Sequence, residues 1–240
     1  MNRKEFLTKI KSNIKNTGQH ITIVSGHQVP RYAYTIGLLE RLNIELIFAG
    51  GIFYLEQDVR KILNGIAKMI DKGSGFNSTF NLDSLGEFRL SNVHSSWSEI
   101  MILGVYDYYN AKEVNAYQVL PAKNNFTLDI PNMTKIWLST EQPAWMWLTE
   151  DWVYDVSEKV TVVTDLDTLK GNPITEIMRW EKEEWEMFSG PSTEFDEKAI
   201  RVVPIGLLLS IDSSLLPALE LNIGKGMWRK GISDNWKDWG

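Results

Sequence analysis

RYAYTIGLLERLNIELIFAGG, residues 31–51, decides how the chain is read. Tyr32 to Leu38 is a run of aromatic and β-branched side chains, as a strand requires, and Glu45 to Ala49 makes a second strand closed by Gly50-Gly51. One carboxylate, Glu45, stands at the head of four apolar residues. A buried and unpaired charge is costly, so Glu45 needs donors: backbone N–H groups, Arg31 or tyrosine hydroxyls. A raised pKa could make it a general acid or base, but no second carboxylate lies at an identifiable spacing. The stretch therefore reads as core strands, with Glu45 tying the 39–44 loop to the sheet.

Outward from this stretch, Phe6, Leu7, Ile10 and Ile14 recur at helical spacing and predict an amphipathic helix over 3–15. His20 to Val24 is a β-branched strand, and the 25–30 turn makes it a hairpin partner of 32–38. Leu55, Val59, Ile62, Leu63, Ile66, Met69 and Ile70 follow a 3.6-residue period, so 54–71 is a helix stopped by Gly73. Strands are expected at 88–93 and 114–120, and a helix at 98–110. Residues 121–155 are irregular, with three prolines and four of the ten Trp, and an aromatic loop of that length must be packed down. From Val160 the pattern changes to short strands at 159–163, 174–180, 184–189 and 200–205. Glu181-Lys182-Glu183-Glu184 is a hairpin turn that puts Trp180 and Trp185 on adjacent strands. Ser214 caps a helix running to Leu221, with Pro217 in its first turn. The expected class is α+β: a mixed or antiparallel sheet with packed helices over 1–156, followed by a smaller β-rich α+β subdomain over 157–240.

Composition excludes several function classes. The 240-residue chain contains no cysteine, which removes disulfides, thiolate nucleophiles and cysteine-bound zinc. Net charge is −6, and residues 156–240, with 10 Lys and Arg against 15 Asp and Glu, hold −5 of it. Phosphate recognition rests on basic surface, so nucleic acid is not the expected partner. No apolar run approaches membrane-spanning length, and the basic N-terminus lacks the apolar core of a secretory signal, so a cytoplasmic protein is expected. His20, His27 and His94 show no metal-binding spacing. Ser25-Gly26-His27 lacks a nucleophile elbow, and Gly50-Gly51 lacks the Lys-Ser/Thr of a phosphate loop.

Residues 18–73 resemble a bacterial family catalogued as domain of unknown function 4262. Tyr34, Thr35, Ile36, Gly37 and Leu38 match its core strand, and Glu45 and Leu46 match its later Glu-Leu pair. The family often carries Gly-His-Pro or similar before that glutamate, where this chain has Leu42-Asn43-Ile44. The likeness loosens towards residue 120, where YQVLPAKNN is similar to a later family strand. It implies an α+β fold and brings no established chemistry. The part from Val160 is similar to a module in uncharacterised bacterial proteins, some encoded beside toxins.

The expected function is non-enzymatic protein binding, as an immunity protein that neutralises a cognate and basic toxin domain. Acid steers and aromatics anchor, so the expected partner-binding residues are Trp145, Trp147, Trp152, Trp180, Glu183, Glu184, Trp185, Glu194 and Asp196. No catalytic residue, cofactor or metal is expected, and a homodimer is a further possibility for the aromatic surface. The alternative is a small-molecule sensor or hydrolase with a pocket around His20, His27, Tyr34 and Glu45.

Overall fold

The hairpin expected over residues 20–38 forms: β1 (His20–Val24) pairs antiparallel with β2 (Tyr32–Ile36), in a register that sets His20 opposite Ile36. β2 pairs antiparallel with β3 (Glu45–Ala49), and every residue of both strands is buried, as two-sided core strands require. The computed structural model describes residues 3–26, 28–191 and 196–239. They fall into two units. The first comprises Met1–Val24, Arg31–Phe126 and Asn132–Trp137, and the second Ser25–Pro30, Thr127–Pro131 and Leu138–Gly240.

In the first unit, β4 (Phe80–Asn81), β5 (Glu87–Asn92) and β6 (Ala116–Pro121) complete a six-stranded sheet in the order β1-β2-β3-β6-β5-β4. Only the β3–β6 contact in it is parallel. Helix α1 (Arg3–Thr17) precedes the sheet, and the four-residue α2 (Leu39–Leu42) bridges β2 and β3. Helix α3 (Glu56–Asp71) lays the predicted apolar stripe, Val59, Ile62, Leu63, Ile66 and Ile70, against Ala33, Leu46, Phe48 and Val119 of one sheet face. The 98–110 segment is helical but broken at Ile102, giving α4 (Ser95–Met101) and α5 (Leu103–Tyr109). α5 covers the opposite face so closely that a side chain at Gly104 would come within 2.6 Å of the Tyr34 hydroxyl.

The glycine of the Tyr-Thr-Ile-Gly-Leu motif has a mechanical role. Gly37 has φ +120°, and a Cβ there would meet Ile14 at 3.0 Å and the backbone of Gln19 at 3.1 Å. Gly37→Ala therefore combines backbone strain with a clash that rigid main chain cannot relieve, and a loss of about 2 kcal/mol is expected. Urea unfolding measures it, and an unchanged midpoint would contradict this role. At the end of α2, Asn43 takes the left-handed conformation at φ 56°, which asparagine tolerates better than most residues.

In the second unit, β7 (Thr161–Asp165), β8 (Glu176–Arg179), β9 (Glu184–Phe188), β10 (Ile200–Pro204), β11 (Lys225–Trp228) and β12 (Lys237–Trp239) form another six-stranded sheet. Its order is β10-β7-β9-β8-β11-β12, again with a single parallel contact, β7 to β9. The short helix α6 (Leu166–Leu169) is capped by Asp165, whose buried carboxylate accepts from Thr168 N at 2.7 Å and from Ser189 N at 2.8 Å. The fold is thus α+β, with a second β-rich region towards the C-terminus.

The strand expected over 200–205 forms as β10, and α7 (Ile205–Ile211), for which sequence reading made no assignment, follows at once, with five of its seven residues buried and Gly206 letting the helix approach Trp147 and Trp152. One expectation for this unit is corrected. The next segment, Ser213–Glu220, is a 3-10 helix capped by Asp212 rather than by Ser214, and Pro217 lies inside it rather than in its first turn. The irregular stretch is packed down as expected: Pro143–Leu148 winds into 3-10 turns that bury Trp145 and Trp147.

Candidate functional site

Glu45 is fully buried, at 0 % exposure, and its carboxylate is saturated. Thr35 Oγ1 donates to Oε2 at 2.6 Å, while the backbone N–H groups of Gly37, Leu38 and Leu39 donate to Oε1 at 2.9, 3.1 and 3.1 Å. Tyr109 approaches Oε1 at 3.4 Å, and Leu46 N in turn donates to Thr35 Oγ1 at 2.8 Å. The three amides open α2, so a side chain from the next strand caps that helix in place of its own N-cap residue. Burial pushes the Glu45 carboxyl above the usual range, against the opposing pull of Thr35 and the three amides. The amides and the tyrosine hydroxyl are among the partners its position demanded. Arg31 donates instead to Tyr54 O at 2.6 Å.

His20 and Tyr34, from the same pocket reading, are also interior. His20 is buried; Asn13 contacts its Nδ1 at 2.7 Å, Phe6 packs edge-on against its ring, and burial lowers its pKa, helped by Lys9 and Arg60. Tyr34 is buried beneath α5, and burial raises its pKa. His94 is exposed and caps α4 by accepting from Ser96 N. His27 lies outside the described residues. Among the described residues, no group of three or more His, Cys, Asp or Glu side chains could hold a metal ion.

A second arrangement is open to solvent. β8 and β9 form the expected hairpin, with Trp180 N and Glu181 N both donating to Glu184 O across its turn. Strand alternation separates the two indoles that sequence had set side by side. Trp185 faces the interior at 1 % exposure with the Arg179 guanidinium 5.0 Å from its ring centre, whereas Trp180, just beyond β8, is 51 % exposed. Across the outer face, the registers align Glu186, Met178, Gly226 and Trp239 in one row over β9, β8, β11 and β12. Gly226 leaves a gap in that row, since a Cβ there would lie 2.6 Å from Ile177 O and 3.5 Å from the Trp239 ring. The result is a groove of about 360 Å³, lined by Glu176, Ile177, Met178, Trp180, Glu186, Phe188 and Trp239. Trp239 is 48 % exposed.

The residues expected to bind a partner separate accordingly. Trp145 and Trp147 lie inside the second unit, as does Trp185, and the burial that makes them good core residues removes them from the surface. Trp145 Nε1 donates to Asp129 O at 2.9 Å, and half-buried Trp152 packs on Trp147 and donates to Val156 O. Trp180, Glu183 and Glu184 are exposed together at the hairpin. Asp196 is exposed and caps the short turn after it by accepting from Lys198 N; Glu194 lies outside the described residues. The surface set thus narrows to Trp180, Glu183, Glu184 and Asp196. It gains Glu176, Met178, Glu186 and Trp239 from the groove, none of them among the residues expected to bind a partner. The period-2 alternation of Glu176, Met178 and Trp180 was the available signal for the first two. β12 is too short to show any period, so Trp239 had none.

No helix among the described residues is long and apolar enough to cross a membrane. Residues 13–125 match the family described as Domain of unknown function (DUF4262), which covers the sheet and helices of the first unit from within α1 and stops short of the groove. No curated protein and no solved structure matches the chain.

Proposed function

We propose that this protein acts by binding another protein, without catalysis, and that its partner is a basic toxin domain which it neutralises by covering it. The observation that carries the reading is the outer face of the second sheet. Trp180 and Trp239 stand half-exposed there among Glu176, Glu183, Glu184 and Glu186. Large rigid aromatics are the side chains that most often dominate binding energy, and surrounding carboxylates accelerate encounter with a cationic surface and select for it. Occlusion needs shape, anchors and charge, and no reactive group. The second reading, a small-molecule sensor or hydrolase around His20, His27, Tyr34 and Glu45, has less support, since the polar atoms of Glu45 and the Nδ1 of His20 already serve internal contacts.

The test is protection of cells against any protein encoded next to this chain's gene that is toxic when expressed alone. The wild-type protein should protect, and Trp180→Ala combined with Glu183→Lys and Glu184→Lys should abolish protection while leaving the circular dichroism unchanged. Loss of the anchor alone is worth about 2 kcal/mol, roughly thirtyfold in affinity. Full protection by the triple variant would overturn the reading.

A further inference from the structure

We infer that the groove between Trp180 and Trp239 captures the guanidinium group of an arginine presented by the partner. The inference rests on the protein-binding reading above and specifies the chemistry of its anchor. The chain already solves the same recognition problem internally. The Arg229 guanidinium sits 4.2 Å from the centre of the Trp236 ring, its Nη2 donates to Asp212 at 2.6 Å and its Nη1 to Ser214 at 2.7 Å. Arg179 lies over Trp185, and Lys237 lies 4.9 Å over Trp228. Three indoles of this sheet region therefore carry a cation from their own chain, while among the described residues Trp180 and Trp239 carry none. Both border a groove that also contains the carboxylates of Glu176 and Glu186.

The groove's other possible occupants fit less well. An anion would face two carboxylates. An apolar side chain would strip the Glu186 carboxylate of water and bring it no donor, a large cost. A lysine ammonium is compact and strongly hydrated, so it engages one carboxylate and stacks poorly. A guanidinium is planar, weakly hydrated and carries five donors, which lets one group lie against indole faces while forking to a carboxylate. Met178 and Phe188 supply apolar surface for the methylene stem. The charge of the region fits the same occupant, since residues 156–240 hold −5 of the net −6.

The experiment follows the indole N–H signals of Trp180 and Trp239 by NMR in the full chain. The probes are a capped glycine-arginine-glycine peptide and its lysine and citrulline counterparts. Saturable shifts of both signals with the arginine peptide are expected, with binding about tenfold weaker for lysine and absent for citrulline, which keeps the shape and loses the charge. Glu186→Gln, which preserves volume, should weaken the arginine peptide about tenfold. Silence at both indoles, equal response to citrulline, or indifference to Glu186→Gln would each overturn the inference. If the peptides fail while toxin protection still depends on Trp180, the anchor is not an arginine and the binding function stands. If the arginine peptide binds but protection ignores Trp180, the function falls and the cation site stands.

Discussion

Replacing Glu45 by alanine is expected to destabilise the first unit by about 4 kcal/mol, because it removes the acceptor from the backbone donors of Gly37, Leu38 and Leu39 and from the buried hydroxyl of Thr35. Each orphaned donor costs roughly 1–3 kcal/mol, and the relief of desolvating a carboxylate offsets part of the sum. Glu45→Gln should cost only about 1 kcal/mol, since its amide oxygen still accepts from the three N–H groups and Thr35 can rotate to accept from its NH₂. The two variants also differ in pH dependence. Burial raises the folded-state pKa of Glu45 above the unfolded value of about 4.3, so the folded protein binds more protons in that window. The contribution of Glu45 to stability is therefore fullest below that value and declines as pH rises through the folded pKa. Glutamine abolishes the slope, so the variant should gain on the wild type as pH increases. Urea unfolding across acid to neutral pH measures both effects, and equal midpoints for the alanine and glutamine variants would contradict the capping role.

In the second unit, Arg229→Ala is expected to cost about 3–5 kcal/mol, the usual result of removing one partner from a buried ion pair. The Arg229 side chain is 1 % exposed and donates to Ile174 O at 2.8 Å as well as to Asp212 and Ser214, so its loss removes a donor from Ile174 O, Ser214 Oγ and Asp212 Oδ2 at once. Asp212 is also the cap of the 213–220 segment, which ties the ion pair to the chain leading into β11. Burial pulls the Asp212 carboxyl upward, but hydrogen bonds from Ser214 and Arg229, with the arginine charge, hold it below the usual range. A depressed carboxylate contributes stability above the unfolded value of about 3.9 and loses it as pH falls through the folded pKa. Acid unfolding of the wild type should show that loss, and Arg229→Ala should flatten it. A variant as stable as the wild type at neutral pH would show that the pair is not a structural hub.

How much of this was legible depends on whether the signal was local. The Glu45 assignment was readable because one carboxylate heading an apolar strand has few physical solutions, and the helix over 56–71 was readable from its apolar period. The helix at 205–211 was not, since a short run that is apolar but for Ser210 looks alike as buried strand or buried helix, and the choice is made by Trp147 and Trp152 packing on Gly206. The same limit governs the candidate site. Sequence showed that Trp180 and Trp185 flank a turn but not that their strand faces are opposite, and it gave no hint that Trp239 reaches the same groove across Gly226. Long-range register, not composition, sorts anchors from core.

The central claim, that a partner docks on the outer face of the second sheet, is tested most directly by amide and indole hydrogen exchange of the protein alone and with the partner that the protection assay identifies. Protection is predicted over β8, β9 and β12 and at the indoles of Trp180 and Trp239, with exchange in α3 and in β1 to β3 unchanged. A footprint confined to the first unit, with Trp180 and Trp239 exchanging as freely as before, would contradict it.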